Sequence, residues 1–191
     1  MKNIGLYLFT NDLRINDNPL LQHARNSVDK LICVVFEPKL SQFSARFAQE
    51  QHFGEHRQAF IAQSIADLEA NLSALGQQLI VISNTPIESD NTEQRLAEIV
   101  CSQNITHFFA HSHCSYDERL LIDLFSKRHP ALNILLAHHT TLFEKNDLPF
   151  GLTDLPRSFT QFRMRVEQLS IDVKTSAIEC LSPVPATSTS T

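Results

Sequence analysis

The chain is predicted to fold as an α/β domain, a five-stranded parallel Rossmann-like sheet of order 3-2-1-4-5 with helices on both faces. Short apolar runs rich in β-branched or aromatic residues recur at Ile4 to Phe9, Leu31 to Phe36, Leu79 to Ile82, His107 to Ala110 and Leu132 to Ala137. Each is too short for a helix and continuous enough to be buried on both faces of a sheet. Helical patterns lie between the runs, and alternating strands and helices build parallel sheets through right-handed crossovers. The order 3-2-1-4-5 is most of a doubly wound sheet. With 191 residues, 42% of them hydrophobic and 19% charged, the chain has the length of one domain and the apolar content for a core.

The elements follow in order. After the first strand, Asn18-Pro19 reads as a helix cap with proline at the first helical position. Asp12, Arg14 and Asp17 are placed to pair and stiffen the loop before it. Ile61, Ile65, Leu68, Leu72 and Leu75 form one helical face that stops at Gly76, where a C′ glycine belongs. A further helix starts from a cap at Asn91 with Gln94 at N3 and buries Leu96, Ile99 and Val100; another starts at Ser115 with Glu118 at N3. Residues 142–156 carry Asp147, Pro149, Gly151, Asp154 and Pro156 and read as a turn-rich loop, after which Phe159, Phe162, Val166 and Leu169 make an apolar helical stripe. The division is therefore an α/β domain at 1–169 and a linker-like tail, rich in Ser, Thr and Pro, at 170–191.

Composition excludes several functions. Lys and Arg number 16 against 21 Asp and Glu, a net charge of −5, so the basic footprint of a strong nucleic-acid binder is missing. No run approaches the roughly 18 apolar residues of a membrane span, and no secretory signal is legible, which points to the cytoplasm. Cys33, Cys101, Cys114 and Cys180 form no CxxC pair and read as thiols in a reducing compartment. Glycines stand only at 5, 54, 76 and 151, too few for a dinucleotide fingerprint or a phosphate-binding P-loop. His52 to His56 spells HxxEH, but Gly54 interrupts the helix such a zinc motif needs. His111-Ser-His113-Cys114 gathers soft ligands without a second ligand pair. Neither a metal site nor a catalytic group is predicted.

Three segments carry a resemblance. LYLFTNDLRINDNPLL from Leu6 to Leu21 resembles the opening motif of the DNA photolyase and cryptochrome family, in which a strand leads to an aromatic residue, DLR and DN. FGEHRQAFIAQSIADLEANLSALGQQLIV from Phe53 resembles that family's long second crossover. NDLPFGLTDLPRSFTQFRMRVE from Asn146 to Glu167 resembles the end of the α/β domain in the cryptochrome-DASH branch. Thr10-Asn11 before DLR also resembles that branch, except that threonine stands where arginine is common. The resemblance covers residues 3–169, the antenna domain, and implies that the helical domain with FAD, its tryptophan path and its DNA groove is absent. The lack of Trp agrees.

In a 3-2-1-4-5 sheet the ligand crevice opens beyond the carboxyl ends of strands 1 and 4. Thr10, Asn11, His111 and His113 are candidate ligand contacts there. Relatives place a folate or deazaflavin antenna at this position, and Tyr116-Asp117-Glu118-Arg119 resembles the Asn-Glu-Arg run whose glutamate grips the pterin, with aspartate replacing asparagine. The resemblance thus implies weak folate or deazaflavin binding through Glu118 and Asp117, no tightly bound cofactor and no FAD. A capping box formed by Ser115 and Glu118 explains the same residues without a ligand. The expectation is a stand-alone or truncated photolyase-like α/β domain without repair activity of its own. The alternatives are a binding module for a small molecule, a nucleotide or an antenna chromophore, or an interaction domain that forms homo-oligomers or docks on a partner protein through the face a helical domain would cover. Strong nucleic-acid binding and membrane association are not expected.

Overall fold

The computed structural model describes residues 2–38, 53–82, 92–113, 116–138, 141–143, 147–169 and 177–185, with the side chains of Thr92, Asp117 and Glu118 excepted. Strands β1 (Ile4–Phe9), β2 (Lys30–Phe36), β3 (Leu79–Ile82), β4 (His107–His111) and β5 (Asn133–Ala137) form one parallel sheet of order β3-β2-β1-β4-β5. Helices α1 (Pro19–Ser27), α2 (Glu55–Ala74), α3 (Thr92–Ser102), α4 (Tyr116–Arg128) and α5 (Phe159–Val166) complete the described helices, with a short 3-10 turn at Leu152–Asp154.

Side chains alternate across the strands as a pleated sheet requires. Tyr7, Phe9, Leu31, Cys33, Val35 and Phe109 face Leu20, Leu21 and Ala24 of α1 and Ile65, Leu68 and Leu72 of α2. Leu6, Leu8, Ile32, Val34, Phe108 and Ala110 face Leu96 and Val100 of α3 and Ile122 and Phe125 of α4. Gly5 is required by close approach, since a Cβ there would lie 3.0 Å from a Val28 methyl carbon and 3.1 Å from the Phe109 ring.

Burial on both faces holds for β1, β2 and β4 but not for the outer strands. Leu135 and Leu136 of β5 and Ile80 and Val81 of β3 are exposed, because an edge strand has a neighbour on one side only. The stripe at the end of the domain is graded in the same way: Val166 is buried, Phe162 is half-buried with its ring 5.8 Å from that of Phe150, and Phe159 is exposed. Residues 177–185 are packed against the domain, with Ile178 in the α1 and α2 core and Leu181 against it. A Ser/Thr/Pro-rich composition that suggests a linker-like tail from 170 onward describes this stretch poorly. Its apolar residues, too few for any periodic signal, fill a gap left by the helices. Residues 170–176 and 186–191 lie outside the described residues, as do Ser115, Asn91 and Cys114.

The end of α2 shows how local sequence fixes direction. Gly76 has a φ of +73°, its N–H donates to the Ser73 carbonyl at 2.9 Å, and the Gln77 N–H donates to the Leu72 carbonyl at 2.9 Å. These paired bonds are a Schellman closure, and only glycine enters the left-handed region without steric cost. Gly76→Ala should therefore cost about 1 to 2 kcal/mol of stability, read as a lowered urea midpoint with an unchanged slope.

Candidate ligand crevice

The carboxyl ends of β1 and β4 are neighbours, and the chain leaves them toward opposite faces of the sheet. Tyr7 anchors the floor of the opening between them. It is a polar-tipped residue in an otherwise apolar strand, fully buried, with its ring 4.6 Å from that of Phe9. A buried phenol needs a partner. Its hydroxyl lies 2.7 Å from Asp12 Oδ2, 3.0 Å from Asn18 Oδ1 and 3.2 Å from His111 Nε2. The single phenolic proton is best used toward Asp12, the shortest and charged acceptor. Burial, then the Asp12 charge, hold the phenol pKa above its ordinary value, so Tyr7 remains a donor.

Asp12 gathers the remaining donors. Its Oδ1 accepts the Thr10 N–H at 3.0 Å and the Thr10 hydroxyl at 3.3 Å, while Oδ2 accepts from Asn18 Nδ2 at 3.2 Å and stands 3.1 Å from His111 Nε2. Burial alone would raise the Asp12 pKa. The hydrogen bond and charge of His111, with the bonds from Thr10 and Tyr7, outweigh it and hold the carboxyl below the ordinary aspartate value. Asn18 in turn accepts the Leu21 N–H at 3.1 Å and so caps α1, and its Nδ2 donates to the Arg14 carbonyl at 3.2 Å. The loop triad predicted from sequence forms differently: Arg14 Nε donates to the main-chain carbonyl of Asp17, which a φ of 52° turns toward it, while Asp12 points inward. Side-chain pairing across the loop gives way because the buried phenol and imidazole offer Asp12 better-shielded donors.

Above this floor lie the groups that a ligand could meet. His113 Nε2 is 2.8 Å from Thr10 Oγ1, and both residues are half-buried. Ser112 Oγ is 2.9 Å from His138 Nδ1, and the Ser112 N–H donates to the Ala137 carbonyl. Of the residues singled out from sequence, Thr10, His111 and His113 therefore converge, and Asn11 is exposed at the rim. Their roles divide: His111 is buried floor, whereas Thr10 and His113 are accessible. Asp117 and Glu118 fall in the first turn of α4, with side chains outside the described residues. Tyr7 and Asn18 were legible only as a core residue and a cap, although a tyrosine inside an aliphatic strand is itself a signal of a buried polar partner. Among the described residues no group of three or more His, Cys, Asp and Glu is placed to hold a metal ion, and His52 of the HxxEH run lies outside them. Cys33 is a buried thiol pushed up to about 12 by desolvation, an inert state. No described helix is long and apolar enough to cross a membrane.

A parallel sheet of order β3-β2-β1-β4-β5 with helices on both faces and polar side chains gathered at the β1 and β4 switch point defines the class of doubly wound α/β domains. Comparison with known proteins narrows the class. The model of the DNA photolyase family matches residues 5–186. The chain is 36% identical over 184 residues to the cryptochrome DASH of Vibrio parahaemolyticus, covering 96% of this chain and 40% of that protein. It is 34% identical over 188 residues to the cryptochrome DASH of Idiomarina loihiensis, covering 95% and 39%. The crystal structure of the Synechocystis cryptochrome superposes with a TM-score of 0.80 at 27% identity, covering 97% of this chain and 38% of that one. The chain belongs to the DNA photolyase family and corresponds to its N-terminal α/β domain. It spans about 30% to 40% of the length of the curated relatives it matches.

The depressed Asp12 pKa has a measurable consequence. Its contribution to stability is fully present above the unfolded-state value of about 3.9 and is lost as pH falls through the lower native value. Asp12→Asn should lose about 1 to 3 kcal/mol at pH 7, because the donors of Tyr7 and His111 face a neutral amide. The variant should also show a shallower loss of stability than the wild type as pH falls below about 4 in urea titrations.

Proposed function

We propose that this chain is the light-gathering α/β module of a photolyase-type protein, with the crevice between β1 and β4 as a weak site for a folate or deazaflavin chromophore, and that by itself it neither retains FAD nor reverses pyrimidine dimers. The observation that carries the reading is the rigid, internally bonded floor of Tyr7, Asp12, Asn18 and His111 beneath the accessible Thr10 and His113. The donor set suits a polar heterocycle. Thr10 and His113 offer a hydroxyl and an imidazole, and a carboxylate at Glu118 would accept the adjacent N–H and amino donors of a pterin edge. When bound, such a group supplies light absorption. This chain's residues orient it and exclude water on one side. The four glycines build no phosphate cradle, and a net charge of −5 opposes the basic groove that a flipped base needs, so a repair reaction is not assigned to these 191 residues. A cytoplasmic setting fits the unpaired Cys33, Cys101 and Cys180.

Glu118 separates the ligand role from the capping role. Glu118→Gln keeps an acceptor for the backbone of Ser115 but loses the charge-assisted pair, a difference of roughly 1.5 to 3 kcal/mol in binding. The glutamine variant should melt as the wild type does and bind reduced folate about tenfold or more weakly in a fluorescence titration. Glu118→Ala should lose affinity and about 1 kcal/mol of stability together. Equal affinities for wild type and Glu118→Gln, or no binding to either, leave only the cap, and stoichiometric flavin or light-dependent dimer loss with the purified chain would overturn the proposal.

A second reading is favoured by a specific surface. Leu142, Phe159 and Met164 are 73%, 76% and 62% exposed, and Leu152 and Leu155 are also exposed, all within the stretch of sequence from 142 to the end of α5. Apolar area of this kind marks a docking face. On this reading the surface takes a second copy or a partner protein. Light scattering over a wide concentration range should then show association that Phe159→Glu weakens; a strictly monomeric wild type rejects self-association.

A further inference from the structure

β3 pairs only with Cys33 to Phe36 of β2, so the first half of β2 lacks a neighbour on that side. Residues 177–185 occupy the place. The Leu31 N–H donates to the Pro183 carbonyl at 3.1 Å, Gln77 Nε2 donates to the Ser182 carbonyl, and Ile178 is buried in the core that α1 and α2 share. The same segment covers the C-terminal end of α1. Ser182 Oγ lies 2.9 Å from the Arg25 carbonyl and 3.1 Å from the Val28 carbonyl, and Arg25 Nη2 reaches Cys180 Sγ at 2.8 Å. A helix leaves its last carbonyls without intrahelical partners, and the Ser182 hydroxyl supplies one.

The other end of α1 belongs to the crevice. Asn18 caps it while sharing Tyr7 and Asp12. α1 has only nine residues, well below the length at which a helix persists unaided in water. Helix formation is cooperative, so in a helix of under three turns the loss of one end weakens the hydrogen bonds of the other. We infer that residues 177–185 act as a releasable clasp on the C-terminal end of α1, and that seating of the clasp and order of the crevice loop are coupled through that helix. The clasp is releasable because it has no regular hydrogen-bonded structure of its own and few apolar anchors, Ile178 and Pro185 buried and Leu181 half-buried, features of the low-stability end of a native structure. The family match runs to residue 186 and so includes the clasp. The inference does not depend on which ligand, if any, enters the crevice.

Amide hydrogen exchange on the full chain tests it through three probes: Leu31, bonded to Pro183; Leu21, bonded to Asn18; and Leu8 in the central strand. Ile178→Asp and Ser182→Ala should each speed exchange at Leu31 and at Leu21 by about tenfold or more while Leu8 stays within about twofold. Coupling is reciprocal, so Asn18→Ala should speed exchange at Leu31. Faster exchange at Leu31 with Leu21 unchanged would overturn the coupling, and no change at Leu31 would overturn the clasp. Should Ile178→Asp raise Leu8 as well, the fold has opened as a whole, and Ser182→Ala decides by the same criteria.

Discussion

The bond from the Tyr7 hydroxyl to the Asp12 carboxylate is the constraint on which the strand ends depend. Placing a carboxylate where water is excluded costs several kcal/mol unless donors surround it. The site meets that cost with a phenol, two amide-type donors, a hydroxyl and an imidazole drawn from β1, its loop, the α1 cap and β4. Four segments of the chain therefore agree on one position for a single side chain. The loop after β1 is rigid for that reason, and α1 starts where it does because Asn18 is already held.

That arrangement also explains why the floor of the crevice is both polar and buried. The Tyr7 hydroxyl, the Asp12 carboxylate, the Asn18 amide and His111 Nε2 are each directed at another of these groups. Thr10 and His113 are the accessible pair, and their mutual bond at 2.8 Å keeps both oriented without fixing them as tightly as the buried group.

The sheet was largely legible because its signals are local and repeated. The five apolar runs, the face of Ile61, Ile65, Leu68 and Leu72, and the stop at Gly76 each state a periodicity or a backbone conformation directly. For the candidate crevice, the convergence of side chains was legible but their bonding was not. Topology brings Thr10, His111 and His113 together, yet nothing in their spacing says that His111 turns inward to Asp12 while His113 remains accessible. Orientation depends on Tyr7, more than a hundred residues from His111 in sequence. The exposure of Leu135 and Leu136 and the packing of Ile178 escaped for a related reason: both depend on what lies beside an element in space, and a one-dimensional pattern carries no record of that.

The shortness of β3 bears on how the chain becomes a folded object. The bond that completes the β2 edge runs from Leu31 to Pro183, and the bonds beside it join residues 154 and 157 positions apart, from Ser182 back to Val28 and Arg25 at the end of α1. Closing so long a loop is entropically late compared with the neighbouring β1 and β2 pairing. During synthesis from the N-terminus, the sheet has all five strands before Ser182 emerges from the ribosome. The nascent domain thus passes through a stage in which its hydrogen-bonded order is set but part of one edge is still open, and a segment made after the strands is the one that shields that edge from neighbouring chains.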